Sequence, residues 1–380
     1  MPKSYKLLNI GIVCYPSVGG SGVVATNLGN ELAKLGHKVH FISYETPFKL
    51  NLKARNVFFH RVNINEYTLF KYPDYTLPLA ETIIMVHEKY GLDILHVHYA
   101  VPHATAALLA SRILLSTGIK PPKIITTLHG TDITLLAKDP NLFTVIKYSI
   151  EKSDGVTTVS EDLKKSTLKV LKTKKPIQVI HNFFTPPPIK KSRNAVRKGL
   201  GIKDTDFLAI HLSNLREVKR IPDLLKIAQV MKHNPKFKLL ILAGGSFAPF
   251  LPLANKYKLG NLVVKTRVKD IENYLNAADL GIYTSSSESF GMGLLETMAY
   301  NNPVLATKVG GIPEVLLDKQ NGYLLKVGDT RGFAAKINLL MRDEGLLKKL
   351  GAQAEQRAIT EFSAKKIVKA YLNYYCSILQ

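Results

Sequence analysis

Short apolar runs alternate with amphipathic helical stretches along most of the chain. Residues 7–14 form the first apolar run, and a glycine-rich turn separates it from a helix predicted over about residues 22–35. Gly36 follows that helix at the position where a C-terminal glycine is preferred. The runs are apolar throughout instead of alternating with polar residues, which is typical of a parallel sheet covered by helices on both faces. Further strands of this first half are predicted at residues 39–43, 94–97, 123–128, 156–159 and 177–180.

The pattern changes after His181, where residues 184–188 are FTPPP and a basic stretch follows. Consecutive prolines favour a stiff, extended and exposed linker. Because 380 residues exceed what one hydrophobic core comfortably serves, we expect a domain on either side of this linker. Strands of the second half are predicted at residues 207–212, 237–243, 262–265, 280–284 and 304–306.

The predicted fold class is therefore α/β, with two Rossmann-like doubly wound parallel-sheet domains, residues 1–185 and 186–363. Residues 364–380 have the periodicity of an amphipathic helix, and the pattern leaves open whether this helix packs back on the first domain. Open sheets of this kind bind ligands at the carboxyl ends of their strands, beside the point where the strand order reverses. Candidate chemistry is therefore expected just after each predicted strand.

The composition is that of a soluble globular protein, with 46% hydrophobic and 21% charged residues. No apolar run reaches the length of a membrane-spanning helix, and residues 1–9 lack the layout of a signal peptide. The two cysteines, Cys14 and Cys376, make neither a disulfide framework nor a metal cluster, which fits a reducing compartment. We therefore expect a cytoplasmic protein without stable membrane insertion.

The charge balance is unusual, because 52 basic residues outnumber 29 acidic ones and give a formal net charge of +23. Such an excess favours anionic partners, among them nucleic acids, membrane surfaces and phosphate- or carboxylate-bearing small molecules. The chain has no helix-turn-helix or zinc-finger spacing and no basic stretch interleaved with aromatic residues. A nucleic-acid-binding module is therefore disfavoured, and part of the charge can serve solubility alone.

A glycine-rich loop, residues 15–24, follows the first predicted strand. Gly19, Gly20 and Gly22 let the backbone approach an anion, and the helix that follows points its N-terminal amides at that anion. The spacing differs from GxGxxG, which disfavours a nicotinamide cofactor. A tight turn is the simpler alternative, but it does not need three glycines, so we favour an anion site.

Histidines mark the next two strand ends. Three of them cluster after the strand at residues 94–97, yet no nearby carboxylate or thiol completes a metal ligand set, so a polar rim around a ligand is favoured over a metal site. A lone histidine at the end of the following strand is more often structural, but polar neighbours favour a functional role. The residues concerned are His96, His98, Tyr99 and His103 at one strand end, and Thr127, His129 and Asp132 at the next.

The strongest motif follows the strand at residues 280–284. Glu288 and Glu296 lie eight residues apart and flank Gly291 and Gly293, which open a helix. Free amides at a helix start suit a diphosphate, and carboxylates suit sugar hydroxyls, so the combination fits a nucleotide sugar. The simpler alternative is a helix with an acidic first turn, which the helix dipole favours but which does not require the paired glycines.

A basic turn follows the first strand of the second half, with Arg216, Lys219 and Arg220 within five residues. Cations at a strand end can neutralise a diphosphate leaving group, although a solvated basic turn is an equal alternative for this motif by itself. The glycine-rich residues 309–314 and 321–323 are predicted to have a structural role.

The Glu288–Glu296 spacing, together with Lys219 and the GGIPE motif at residues 310–314, resembles glycosyltransferase family 4, whose members are retaining enzymes of the GT-B fold. The likeness covers both halves of the chain. In the first half, residues 14–24, 98–103 and 126–132 are similar to the branch of the family that transfers N-acetylglucosamine from UDP-N-acetylglucosamine to L-malate, the first step of bacillithiol synthesis. The resemblance implies two domains facing across a cleft, no cofactor and no metal.

Particular roles follow from the resemblance. Glu288 is expected to hold the sugar hydroxyls and Glu296 the ribose, while the backbone near residues 267–268 meets uracil. The commoner family pattern has an arginine at the position of Asn214. Arg216 is expected to supply that positive charge here. The implied catalytic residues are Lys219, Arg216, Glu288 and His129, and the implied acceptor residues for L-malate are Ser17, Tyr99 and Thr127. The implied donor-binding residues are Gly19, Gly20, Ser21, Gly22, Ser213, Arg216, Lys219, Arg267, Val268, Glu288, Phe290, Gly291, Met292, Gly293, Leu294 and Glu296.

The resemblance also implies a mechanism of same-face substitution, in which the leaving UDP is stabilised by cations and takes the acceptor's proton. An alternative within the family is transfer to a membrane glycolipid, which the basic charge would suit and which would favour an amphipathic basic helix in the first domain. The expected partners are small-molecule substrates and not nucleic acid. The sequence leaves the oligomeric state open, a homodimer included.

Overall fold

A computed structural model of the protein describes residues 6–17, 19–64 and 74–380. Val18 of the glycine-rich loop and the first five residues of the chain lie outside these ranges. The chain forms two compact units, one comprising Met1–Asn182 with Ala364–Gln380 and the other comprising Phe183–Ser363. Each unit has a parallel sheet with helices connecting its strands, which confirms the predicted α/β class of two Rossmann-like domains.

The first unit has a seven-stranded parallel sheet in the order β3-β2-β1-β4-β5-β6-β7. The strands are β1 Asn9–Val13, β2 Lys38–Ser43, β3 Val57–Arg61, β4 Ile94–His98, β5 Lys123–Leu128, β6 Gly155–Thr158 and β7 Gln178–Val179. The helices are α1 Ser21–Lys34, α2 Thr76–Tyr90, α3 Thr105–Ser116, α4 Thr131–Thr134, α5 Pro140–Lys152 and α6 Glu161–Leu171. The strand order reverses between β1 and β4, so the loops that follow these strands border the switch point.

The second unit has a six-stranded parallel sheet in the order β10-β9-β8-β11-β12-β13. The strands are β8 Phe207–Ser213, β9 Phe237–Ala243, β10 Leu262–Thr266, β11 Leu280–Tyr283, β12 Val304–Thr307 and β13 Gly322–Leu325. The helices are α7 Arg193–Gly199, α8 Ile221–Met231, α9 Leu251–Tyr257, α10 Ile271–Ala277, α11 Met292–Met298, α12 Ile312–Val315, α13 Thr330–Arg342 and α14 Glu344–Glu361. Here the order reverses between β8 and β11, so the loops after these two strands border the second switch point.

The sequence predicted eleven of these strands to within two residues, and it missed β3 and β13. Central strands such as β1 and β12 are buried along nearly their whole length, which explains their continuous apolar sequence. Helix α1 packs closely on β2 because Gly29 has no side chain; a Cβ there would lie 2.3 Å from the ring of Phe41. Gly36 adopts a φ of 95°, as its predicted position after α1 requires.

The last helix, α15 (Ala364–Leu379), belongs to the first unit although the second unit precedes it in the chain. The Tyr374 hydroxyl accepts a hydrogen bond from the Val156 amide at 2.9 Å and lies 3.2 Å from the Val156 carbonyl. A Cβ at Gly155 would lie 2.7 Å from that hydroxyl, so the glycine permits the contact. The Tyr374 side chain of α15 thus binds the backbone of strand β6.

The predicted linker begins later than the sequence indicated. Phe183 and Phe184 are buried in the second unit, and the Phe184 ring lies 6.3 Å from that of Tyr300. Exposure begins at Thr185 and continues through most of the proline run. The two phenylalanines are apolar side chains with a core available to them, which outweighs the linker character of the prolines that follow.

Candidate functional site

Three strand-end loops of the second unit, those after β8, β11 and β12, are hydrogen-bonded to one another. The Ser286 amide donates to the Val218 carbonyl at 2.8 Å, and the Thr284 hydroxyl donates to the Lys219 carbonyl at 3.0 Å. The Gly311 amide donates to the Glu288 carbonyl at 2.9 Å. The basic turn and the acidic loop are therefore held side by side at the switch point of the sheet.

An ion pair joins the Lys219 ammonium to the Glu288 carboxylate at this point. The two side chains are only 16% and 19% exposed, so the pair is largely shielded from water. Electrostatic attraction between such charges is stronger than at an open surface, because the surroundings are less polarisable. The pair lies where the loops after β8 and β11 meet.

Glycines allow the loop of Glu288 to sit where it does. A Cβ at Gly310, whose φ is 52°, would lie 1.9 Å from the Glu288 carbonyl oxygen. Gly291 has a φ of 100° and starts α11, and a Cβ at Gly293 would lie 2.9 Å from the Leu212 carbonyl. The GG motif after β12 therefore supports the acidic loop, in keeping with the structural role predicted for it.

The neighbouring cations differ in their surroundings. Arg220 is bound by Asp223 through two hydrogen bonds of 2.6 and 3.0 Å, so its charge is already matched. Arg216 is exposed at the start of the short turn that carries Lys219, and Asn214 is also exposed. Two of the three cations of the basic turn, Arg216 and Lys219, therefore remain as candidates for an incoming anion.

Buried polar groups lie behind this site. His211 is fully buried and bonds the Ile282 carbonyl at 2.8 Å and the Ser213 hydroxyl at 2.8 Å. Because burial lowers the pKa of His211 to about 4, the ring is neutral, and its Nδ1–H donates to the carbonyl while Nε2 accepts from Ser213. The Tyr283 hydroxyl donates to the Gly293 carbonyl at 2.6 Å and thereby fixes the first turn of α11.

The other residues expected to bind the nucleotide-sugar donor differ in how exposed they are. Glu296 is half-buried on α11, and Arg267 is exposed with its amide bonded to the Ala243 carbonyl at 2.9 Å. Phe290 is only 2% exposed and packs edge-on against Phe362 with ring centres 5.6 Å apart. Its side chain therefore belongs to the core and can serve a ligand only through its backbone.

In the first unit, the glycine-rich loop after β1 meets the residues that follow β4. Gly20, with a φ of 62°, precedes α1, whose first turn has no side-chain cap and no acidic residue. The Ser21 hydroxyl donates to the Tyr99 hydroxyl at 3.0 Å, and the Ser17 hydroxyl donates to the Gly19 carbonyl at 2.8 Å. A Cβ at Gly22 would lie 2.5 Å from the Ser17 hydroxyl oxygen, so this glycine is needed for the loop to fold back.

The histidines after β4 and β5 form one buried cluster. His98 Nδ1 lies 2.8 Å from His129 Nε2, and the rings of His96 and His98 are stacked with centres 4.5 Å apart. The Tyr99 ring lies 5.4 Å from that of His129. His103 donates through Nδ1 to the His98 carbonyl. The structure thus brings together residues that the sequence placed at two separate strand ends.

Thr127 lies deeper than we expected for a residue that lines an acceptor pocket. Its side chain is fully buried, and its hydroxyl lies 2.6 Å from His96 Nε2 and 2.6 Å from the Thr157 hydroxyl. In this structure Thr127 is therefore part of the layer behind the strand ends. Ser17 and Tyr99 are half-buried and are the acceptor candidates with exposed surface.

Asp132 organises the loop that carries His129. Its carboxylate accepts hydrogen bonds from the His129 amide at 3.0 Å and the Ala100 amide at 3.1 Å, and so links the β4 and β5 strand ends. Burial raises the pKa of Asp132 to about 6 although these amides favour the charged form. The sequence indicated only that Asp132 was a polar neighbour of His129.

Two supporting residues were missed by the sequence analysis. The Tyr375 hydroxyl lies 2.7 Å from His96 Nδ1, so the last helix reaches the histidine cluster. No local pattern connects residue 375 with residue 96, and only the packing of α15 on the first sheet brings them together. His211 was detectable in principle, because it interrupts the apolar strand β8, where a buried polar ring needs partners.

Within residues 6–17, 19–64 and 74–380, no group of three or more histidine, cysteine, aspartate or glutamate side chains could hold a metal ion. None of the helices within these ranges has the length and apolar character that a membrane span requires.

Comparison with known proteins identifies the class to which this fold and site belong. The family model described as "Glycosyltransferase Family 4" matches residues 18–186, and that described as "Glycosyl transferases group 1" matches residues 192–357. The first match begins after β1 and includes the other strands of the first sheet, and the second match includes all strands of the second sheet. The chain belongs to this glycosyltransferase family, whose fold is GT-B.

Among its relatives is the N-acetyl-alpha-D-glucosaminyl L-malate synthase of Bacillus anthracis, which is 42% identical over 376 residues and 98% of each chain. A glycosyltransferase structure from Rickettsia africae has a TM-score of 0.83 at 22% identity and covers 99% of this chain and 100% of its own. Anabaena Alr3699/HepE, solved in complex with UDP-glucose, has a TM-score of 0.79 at 17% identity and covers 97% and 100%. The structural likenesses support the fold.

We expect acid to destabilise the first unit, because the rings of the histidine cluster must stay neutral in the folded state. Burial lowers the pKa of His96 and His129 to about 3 and of His103 to about 4, and it lowers the pKa of His98 as well. These rings must stay neutral in the folded state, so the stability they confer is complete above pH 6.5 and is lost as the pH falls toward 4. Asp132 opposes the trend over part of the range, because its raised pKa favours folding as it gains a proton.

The free energy of unfolding should therefore fall as the pH drops below 6.5, and each ring that must stay neutral adds up to about 1.4 kcal/mol per pH unit to the slope. Urea unfolding between pH 7.5 and pH 5 should show this loss. His96→Gln should reduce the slope, whereas the same change at the exposed His233 should leave it unaltered. A free energy of unfolding that stays constant over this pH range would contradict the interpretation.

Proposed function

We propose that this glycosyltransferase is a metal-independent, retaining enzyme that moves N-acetylglucosamine from UDP-N-acetylglucosamine to the hydroxyl of L-malate. The products are N-acetylglucosaminyl malate and UDP. This reaction is the first step of bacillithiol synthesis. The observation that carries the proposal is the shielded Lys219–Glu288 pair at the switch point of the second sheet. The relative from Bacillus anthracis, named for the same product, supports the choice of substrates.

On donor binding, the diphosphate takes the place of Glu288 as the partner of Lys219. Arg216 is exposed beside Lys219 and adds a second positive charge. Backbone amides at residues 291–294, whose approach the glycines permit, bind the phosphate oxygens. Glu288 is then free to accept hydrogen bonds from the sugar hydroxyls.

The rest of the donor extends from this point. Glu296, half-buried on α11, accepts hydrogen bonds from the ribose hydroxyls. The backbone at residues 267–268, where Arg267 has a φ of 52°, meets the uracil. Ser213, held by His211, lines the same strand end.

The acceptor binds in the first unit. The amides at residues 19–22, at the uncapped start of α1, suit an anion and are assigned to the phosphates of the donor, whereas malate is assigned to the residues beside them. Ser17 and Tyr99 contribute hydroxyls, and the buried Thr127 supports them from behind. The excess of basic residues favours the approach of anionic substrates to both sites.

The reaction proceeds on one face of the sugar. The bond between the anomeric carbon and the β-phosphate oxygen breaks, the malate hydroxyl oxygen bonds the anomeric carbon from the same side, and its proton passes to the departing phosphate oxygen. The configuration is therefore retained without a carboxylate nucleophile. Lys219 and Arg216 stabilise the negative charge that develops on UDP, so the protein contributes electrostatics and positioning.

The substrates and the metal requirement can be tested in one assay. We expect the purified protein to release UDP from UDP-N-acetylglucosamine when L-malate is added, and EDTA to leave the rate unchanged. Chromatography and NMR of the product should show an α-linked glycoside, as retention requires. Omission of malate and replacement by succinate, which has no hydroxyl, are the controls. Turnover that requires a glycolipid, or that EDTA abolishes, would contradict the proposal.

Lys219→Ala should lower kcat about 100- to 1,000-fold, because a preorganised cation facing the leaving group is lost. The variant should stay folded with a moderate loss of stability, because Glu288 is left without its partner in a largely shielded place. Lys226→Ala, at an exposed position on α8, is the matched control and should behave as the unmodified chain. Initial-rate kinetics and a thermal unfolding curve should be measured for both variants. Normal turnover in Lys219→Ala would exclude a role for Lys219 in stabilising the leaving UDP.

A further inference from the structure

The contact between His98 and His129 joins two ring nitrogens. His98 Nδ1 and His129 Nε2 are 2.8 Å apart, and the rings are nearly parallel with an interplanar angle of 21°. In a hydrogen bond between two neutral imidazoles, one nitrogen carries the proton and the other accepts it. The direction of this bond therefore fixes the tautomer of both rings.

The second nitrogen of His98 shows which direction is favoured. His98 is fully buried, and its Nε2 is buried without a hydrogen-bond partner among the described residues. If His129 donated, His98 would carry its proton on Nε2, and a buried N–H would lack an acceptor. If His98 donates, Nε2 is a bare acceptor instead. Among backbone groups, buried donors without partners are rarer than buried acceptors without partners. The same order applied to the imidazole nitrogens makes His98 the donor.

His103 shows the same arrangement beside it. Its Nδ1 must carry a proton, because its partner is the His98 carbonyl. Its Nε2 is consequently a bare acceptor, and this atom is also buried and without a partner among the described residues. The cluster thus leaves acceptors unpaired and satisfies its donors.

We infer that His98 is a positioning residue that holds His129 in the tautomer protonated at Nδ1, so that His129 meets its ligand as a neutral hydrogen-bond donor and not as a base. His129 is half-buried and already uses Nε2, which leaves Nδ1–H as the ring group available to a substrate oxygen. Enzymes elsewhere use neutral imidazole as an electrophile in this way.

The inferred tautomer is a property of the free protein, whereas its consequence for catalysis rests on the proposed function. Burial lowers the pKa of His129 to about 3, in keeping with a ring that stays neutral during turnover. A ring whose Nε2 lone pair is occupied by His98 cannot take the proton of the acceptor hydroxyl. That proton must therefore leave by another route, and the departing phosphate oxygen is the one available in the proposed reaction.

The tautomer can be observed directly in the protein without substrates. Two-bond proton–nitrogen correlation spectra of ¹⁵N-histidine-labelled protein distinguish a protonated from a bare ring nitrogen, and the His129 signals are identified by their loss in His129→Gln. We expect His129 to be protonated at Nδ1. Protonation at Nε2 would overturn the inference, whatever the substrates of the enzyme prove to be.

Two variants of His98 test the catalytic consequence. His98→Asn keeps an N–H donor near the position of Nδ1, and His98→Phe removes it while filling the space. We expect kcat to fall about 100-fold in His98→Phe, with KM for the donor changed less than about threefold, and to stay within about threefold of the unmodified chain in His98→Asn. Equal losses in both variants, or a normal kcat in His98→Phe, would overturn the positioning role. If His98→Phe does not fold, the spectrum of the unmodified chain still tests the tautomer of His129. The kcat of His98→Asn then still tests the positioning role of His98.

Discussion

The Lys219–Glu288 ion pair is the interaction on which the candidate site of the second unit depends. Both side chains come from loops, and loops hold charges in fixed places only when their backbones are themselves tied down. Here the ties are hydrogen bonds between the loops after β8, β11 and β12, together with Gly310, whose missing side chain lets the Glu288 carbonyl approach. A shielded cation with a replaceable partner is what a diphosphate leaving group requires.

The strand ends of the first unit carry neutral hydrogen-bonding groups, whereas those of the second unit carry an ion pair. Among these groups are four neutral histidines, three of them fully buried and His129 half-buried, and their layer is completed by Thr127, Thr157 and Tyr375. Neutral rings of fixed orientation provide hydrogen bonds without the cost of burying a charge. The last helix contributes to this layer, because the Tyr375 hydroxyl lies 2.7 Å from His96 Nδ1.

Much of the fold could be predicted from the sequence, because parallel strands buried on both faces have continuous apolar runs. The short strands β3 and β13 have no such run, since β3 is only half-buried and β13 begins in a glycine turn. For the site, Lys219 and Glu288 were predictable from local motifs, whereas the partners of Arg220, Phe290 and Thr127 were not predicted. Asp223 lies three residues after Arg220, a local spacing that the sequence analysis did not use, whereas Phe362 and His96 meet Phe290 and Thr127 through packing that local spacing does not encode.

The central claim is that Lys219 exchanges Glu288 for the diphosphate of the donor. Calorimetric titration of UDP into the Glu288→Gln variant tests it most directly, because UDP lacks the N-acetylglucosamine whose hydroxyls Glu288 is proposed to bind. If the carboxylate competes with the diphosphate for Lys219, the neutral variant should bind UDP more tightly than the unmodified chain does. Markedly weaker binding of UDP to Glu288→Gln would contradict the account.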